Sequence, residues 1–262
     1  MEKTKVKTNR LKAMWLAGTP ALGGWCAIPN SFSAEIVASM GFDYVCVDMQ
    51  HGLADFGQLV PMLQAIAAQG PTPLVRVPVG DLALAQRVMD AGAEGVIFPM
   101  ISTRDEAAAA VATCRYQPLG QRSFGPIRSR MHLGPDVEHA NAEVACIVML
   151  ETEGALRHLD GILGCPGVDA VYVGPNDLSL ALGLPIGSTD ARLDQAIDLI
   201  LAACRTHGVP AGFHASSGQA ALRALKRGFD MVTVTTDAAV LSAAYRTEFQ
   251  AASCPEKPGG EA

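Results

Sequence analysis

Along the chain, short runs of consecutive apolar residues rich in valine and isoleucine alternate with longer alanine- and leucine-rich stretches, where apolar positions return every three or four residues. A continuous apolar run between turn residues predicts a strand covered on both faces, and a 3.6-residue period predicts a helix with one buried face. The strands fall at residues 24–28, 44–48, 73–77, 95–99, 145–151, 170–173, 210–213 and 231–234. The helices fall near 33–39, 56–69, 82–91, 104–114, 155–163, 190–206, 218–227 and 238–252. Glycine recurs between helix and next strand, in Gly41-Phe-Asp, Ala91-Gly-Ala-Glu-Gly, Pro166-Gly-Val-Asp and Arg227-Gly-Phe-Asp, where a helix C-cap takes positive φ. This repeated alternation predicts an α/β chain folded as a single (β/α)8 TIM barrel.

Residues 116–143 break the alternation. They are rich in Gly, Pro and Arg, lack periodicity and exceed what a connection needs, which predicts a functional loop following a strand. Residues 1–12 read as an N-terminal extension and 253–262 as a disordered tail of the same domain. The 262 residues suit one barrel, which needs about 250. An apolar fraction of 49% supplies its core, and a net charge of −6 without a basic patch argues against nucleic acid. No apolar run approaches the ~18 residues of a membrane span and the start lacks a signal-peptide pattern, so a cytoplasmic protein with no membrane partner is expected. Seven cysteines form no C-x-x-C pair, which predicts reduced, mostly buried thiols rather than a zinc ribbon or redox dithiol.

Barrels of this kind carry their sites at the C-terminal ends of the strands, so a reactive side chain counts when it follows a strand. His51 follows strand two, Arg76 ends strand three, Glu151 ends strand five, Asp177 follows strand six, and His214 follows strand seven. Glu151 and Asp177, from neighbouring strands, could converge on one hard divalent cation, Mg2+ or Mn2+ by preference with Co2+ admissible. The structural alternatives are an arginine partner for Glu151 and a helix-capping role for Asp177. Arg76 presents a planar fork to a carboxylate or enolate, or else ties strand three to a neighbour. His51 is placed to move a proton, and both it and His214 could equally be plain hydrogen-bonded residues. Lys3, Lys5, Lys7, Lys12, Lys226 and Lys257 all lie away from the strand ends that form the mouth, which leaves no Schiff-base lysine. The loops after strands seven and eight hold one glycine, so support for a phosphorylated substrate is weak.

Together, Val47-Asp48-Met-Gln-His51-Gly, Leu74-Val-Arg76, Leu150-Glu151-Thr and Gly174-Pro-Asn-Asp177-Leu-Ser resemble the HpcH/HpaI family of class II pyruvate aldolases, over about residues 22–249. Phe98-Pro-Met, Arg115-Tyr-Gln-Pro-Leu-Gly-Gln-Arg and Ser123-Phe-Gly extend the likeness. The resemblance implies a (β/α)8 barrel assembled as a hexamer with exchanged C-terminal helices. It implies Glu151 and Asp177 as metal ligands, Arg76 as stabiliser of the enolate, His51 as acid/base and Asp90 as an aspartate that raises the basicity of that histidine. It further implies Asp48 as an acid held close to the cation's water, and Ser123 and Asn176 as substrate-contacting positions, with Gly174, Pro175 and Asp177 in the same binding stretch. Two departures bear on substrate preference: Met49-Gln50 stands where bacterial members have Gly-Glu, and Met149 where they have glutamine.

The expected reaction is reversible aldol cleavage of a 4-hydroxy-2-oxo acid to pyruvate, or hydroxypyruvate, and an aldehyde. Two rivals stand beside it: a metal-independent phosphate-binding isomerase or synthase using His51 and Glu151, and a barrel subunit that binds a ligand without catalysis.

Overall fold

A computed structural model describes residues 8–253. Helix α1 (Arg10–Leu16) precedes β1 (Ala21–Cys26). Then α2 (Ser31–Ala38) leads to β2 (Tyr44–Asp48), α3 (Phe56–Gln69) to β3 (Thr72–Arg76) and α4 (Leu82–Asp90) to β4 (Gly95–Phe98). Next, α5 (Arg104–Cys114), α6 (Ser129–Leu133) and α7 (Val137–Glu143) precede β5 (Ala145–Met149), and α8 (Glu153–Arg157) and α9 (Leu159–Leu163) precede β6 (Ala170–Val173). Last come α10 (Pro175–Ala181), α11 (Ala191–His207), β7 (Ala211–His214), α12 (Gly218–Arg227), β8 (Met231–Thr236) and α13 (Asp237–Ser253). Each strand pairs in parallel with its sequence neighbours and β8 pairs with β1, which closes the (β/α)8 barrel.

Side chains alternate between two cores. Val45, Val47, Val75, Val96, Val148 and Val171 point outward into the layer shared with the helices. Trp25, Tyr44, Cys46, Leu74, Ile147 and Tyr172 fill the barrel itself. The two tyrosine rings fit because glycine stands beside them. A Cβ on Gly23 would lie 2.0 Å from the Tyr44 ring, and one on Gly212 would lie 2.5 Å from Tyr172. Their hydroxyls meet at Thr233, which lies 2.9 Å from Tyr44 and accepts from Tyr172 at 2.5 Å, so neither buried hydroxyl is left unpaired.

The N-terminal rim differs most from expectation. Residues 1–12 do not all form an extension: Asn9 caps α1 through Lys12 N and also donates to the carbonyls of Glu94 and Glu143. Leu11 is buried against the barrel interior, with Met14 and Trp15 beside it. The helix closes the barrel floor with the apolar face of a sequence whose lysines suggest only a solvated lead-in. Residues 116–143 lie between α5 and β5, so they line this same rim and do not follow a strand end. Arg115 anchors the segment's start by donating to the carbonyls of Val144 and Gly167 and pairing with Asp169 at 2.6 Å. The stretch 155–163 is divided in two at His158, and α10 is an added helix after β6. Of the proposed tail, Ser253 ends α13 and 254–262 lie outside the described residues. No residue of α13 is buried.

Candidate active site

The alternation that builds the inner core also builds the site. Tyr44 and Cys46 are followed two residues on by Asp48, Leu74 by Arg76, Ile147 and Met149 by Glu151, Tyr172 by Gly174, and Gly212 by His214. At the C-terminal rim these five inward rows thus end in a polar residue or in glycine, where the fold places its sites. Asp48 and Arg76 are register partners on β2 and β3. Arg76 donates through Nε to Asp48 Oδ1 at 2.9 Å and through Nη2 to Oδ2 at 2.6 Å, and Trp25 Nε1 donates to Oδ2 at 3.2 Å. Burial pushes Asp48 up, but the hydrogen bonds and charge of Arg76, with help from Trp25, hold its carboxyl below the usual range. Asp48 is therefore a clamped carboxylate that steadies Arg76. Arg76 lies 5.0 Å from the centre of the Trp25 ring, and its Nη1 has no hydrogen bond among the described residues.

Glu151 is held from below. Met100, in the left-handed region at φ 60°, donates its amide to Glu151 Oε1 at 2.9 Å. Oε2 is buried and has no partner among the described residues. A Cβ on Gly174 would lie 2.0 Å from that oxygen, so only glycine fits at the head of the α10 segment that carries Asp177. Burial and the negative charge of Asp177 push Glu151 up to about 7 against the pull of the Met100 amide and of Arg76. An orphaned carboxylate oxygen on a group that feels a second carboxylate's charge is what a hard divalent cation would satisfy, so Glu151 and Asp177 fit that group. Among the described residues no three His, Cys, Asp or Glu side chains gather as candidate metal ligands.

His51 is exposed in the loop after β2, its amide donating to Asp48 Oδ1 at 3.3 Å. His214 stands across the mouth, edge-on to Trp25 at 4.8 Å, with Nδ1 3.2 Å from the Tyr172 hydroxyl. Pro175, Asn176 and His214 line a cavity of about 600 Å3 that continues between α11 and α12.

Asp90 and Ser123 are not part of this mouth within one chain. α4 runs back against the strands, so Asp90 at its end lies on the N-terminal rim, paired with Arg122 at 2.7 Å. The Ser123 amide donates to Gln86 Oε1 on the same helix. Lys12 pairs with Asp169 on that rim and Lys226 lies late on α12, so neither described lysine is in the mouth. Trp25 and Met100 belong to the site and carry no titratable group that would mark them; the position of Trp25 at the end of β1 was the available signal.

The HpcH/HpaI aldolase/citrate lyase family model matches residues 22–244, which include every strand end just described. The chain belongs to this family. HpcH/HpaI relatives match over nearly full length. A hydroxypyruvate/pyruvate aldolase of Rhizorhabdus wittichii is 41% identical, covering 91% of this chain and 96% of the relative. A 4-hydroxy-2-oxo-heptane-1,7-dioate aldolase of Escherichia coli is 33% identical over 96% of this chain and 98% of its own. The crystal structure of an HpcH/HpaI aldolase/citrate lyase family protein from Burkholderia cenocepacia superposes with a TM-score of 0.87 at 34% identity, covering 94% of this chain and all of that one. As an HpcH/HpaI member this chain is a carbon–carbon lyase of the class II aldolase type, a class that depends on a divalent cation.

Proposed function

We propose that the enzyme reversibly cleaves 4-hydroxy-2-oxo acids to pyruvate or hydroxypyruvate and an aldehyde, with Mg2+ or Mn2+ held by Glu151 and Asp177. The observation that carries this reading is the buried, unpartnered Glu151 Oε2, on a carboxyl near enough to Asp177 to feel its charge. A divalent cation would supply positive charge there and polarise the oxygens of the 2-oxo acid. Arg76, its fork fixed by Asp48, turns Nη1 to the keto oxygen, where negative charge gathers as the C3–C4 bond breaks. His51 takes the proton of the C4 hydroxyl during cleavage and returns it to the aldehyde oxygen during condensation. Gly174, Pro175 and Asn176 form the wall beside this pair of carboxylates.

The same reading includes an assembly of copies, the hexamer that the family likeness implies. Support comes from α13, which buries nothing on its own barrel and exposes Val240, Leu241, Tyr245 and Phe249. Asp90 and Ser123 could serve the chemistry only if their rim met the mouth of another copy. A cytoplasmic location belongs to the reading too, supported by six buried free thiols among the described residues.

The test is pyruvate release from a 4-hydroxy-2-oxo acid by purified enzyme. Excess EDTA should abolish it and added Mg2+ or Mn2+ restore it. Cleavage that persists at full rate after metal removal would overturn the assignment.

A further inference from the structure

The polar column inside the barrel ends at a residue that the reaction above does not use. Tyr172 donates its hydroxyl proton to Thr233 Oγ1 at 2.5 Å. Its oxygen therefore receives the Nδ1–H of His214 across 3.2 Å. This fixes the tautomer: Nδ1 carries the hydrogen and Nε2 carries a lone pair. Nε2 has no hydrogen bond among the described residues and is not among their buried unpaired atoms. The ring itself is held edge-on against Trp25, the same indole that lies under the Arg76 guanidinium. His214 and Arg76 thus contact the same indole, which sets the imidazole beside the group that grips the keto oxygen. Burial and the positive charge of Arg76 push its pKa down to about 4, against the pull of Asp48, so the imidazole stays neutral near pH 7.

A neutral acceptor that a bound ligand covers discriminates sharply. It gains from a ligand O–H and loses when a methyl group or hydrogen faces it, because the acceptor is then desolvated without a partner. We infer that His214 is a specificity-determining residue that accepts a hydrogen bond from a hydroxyl on C3 of the 2-oxo acid, so that the site favours hydroxypyruvate over donors lacking that hydroxyl. The inference rests on the aldolase reading and names the residue that selects its donor. Trp25 and Tyr172 act through His214, one by fixing the ring plane and the other by fixing the tautomer.

The measurement is kcat/KM of the metal-loaded enzyme for aldol addition to one aldehyde, with hydroxypyruvate, pyruvate and 2-oxobutyrate as competing donors. 2-Oxobutyrate places a methyl group where hydroxypyruvate has its hydroxyl. His214→Leu should lower the hydroxypyruvate-to-2-oxobutyrate ratio at least tenfold, and His214→Gln, which retains an acceptor near the Nε2 position, should recover part of it. Tyr172→Phe should lower the ratio less, since the ring remains but its tautomer is released. A ratio unchanged in His214→Leu, or equal losses on all three donors with no recovery in His214→Gln, overturns the inference and leaves the aldolase assignment standing. Absence of addition with every donor in the parent enzyme would instead bring down the assignment itself.

Discussion

At the scale of single residues, the site holds two charges that the fold alone does not reward. Glu151 is a buried carboxylate with one oxygen unpaired and the charge of Asp177 acting on it. Glu151→Gln should therefore lower metal affinity and reduce cleavage at least about a hundredfold, the usual cost of losing a major electrostatic group. The metal-free variant should unfold at the same temperature as the parent or a higher one, measured by calorimetry in EDTA. A marked loss of metal-free stability would mean that the carboxylate is structural. Arg76→Lys keeps the charge but cannot make both bonds to Asp48 while offering a third donor, so turnover should fall by about 10²–10³ with KM changing less. Near-parental kinetics would reduce the guanidinium to a strand tie. Asp48, Arg76 and Glu151 were legible as strand-end residues because position along the chain marks the rim. The clamp between Asp48 and Arg76 was not, because it depends on the register of two strands, which a single sequence does not state. Met100 stood in the Phe98-Pro-Met motif, but its part was hidden for another reason: its contribution is a backbone amide.

Among the elements, the eight strands were readable because a buried parallel strand is an uninterrupted apolar run, and their boundaries shifted by only a few residues. Helix α1 was hidden by its charge, although Leu11, Met14 and Trp15 have the i, i+3, i+4 spacing of a buried face. Leu11→Ala should cost about 2–5 kcal/mol in urea unfolding, as a large-to-small change in a closed core does. Because α1 seals the rim opposite the site, activity per folded molecule should hold, and a parallel loss of kcat would show that the floor and mouth are coupled. The 116–143 segment was legible as unusual but not in its placement. Its loop-like composition reflects anchoring by Arg115 and stacking of Arg122 over Tyr116, 4.5 Å from the ring centre, on the N-terminal rim.

For the whole molecule, a family model covering 22–244 and a barrel closed in sequence order agree on architecture, and α13 is attached at its first residue, Asp237, while none of its residues is buried in one chain. Tyr245→Asp with Phe249→Asp should shift the particle from a multimer to a smaller species in light scattering, because charges are costly in a covered apolar surface. An unchanged mass would leave α13 bare in solution. The barrel interior also constrains how such a sequence can drift. Tyr44 with Gly23, and Tyr172 with Gly212, are complementary in volume: one member is large only because the other has no side chain. A lineage cannot exchange either partner alone without first passing through an overfilled or hollow intermediate, and at the mouth Gly174 with Glu151 and Asp48 with Arg76 are bound in the same way. Inheritance in this fold is thus locked in pairs at its centre and at the heart of its site, and new substrate preferences should arise among its descendants in the side chains around those pairs, without any change in the barrel that bears them.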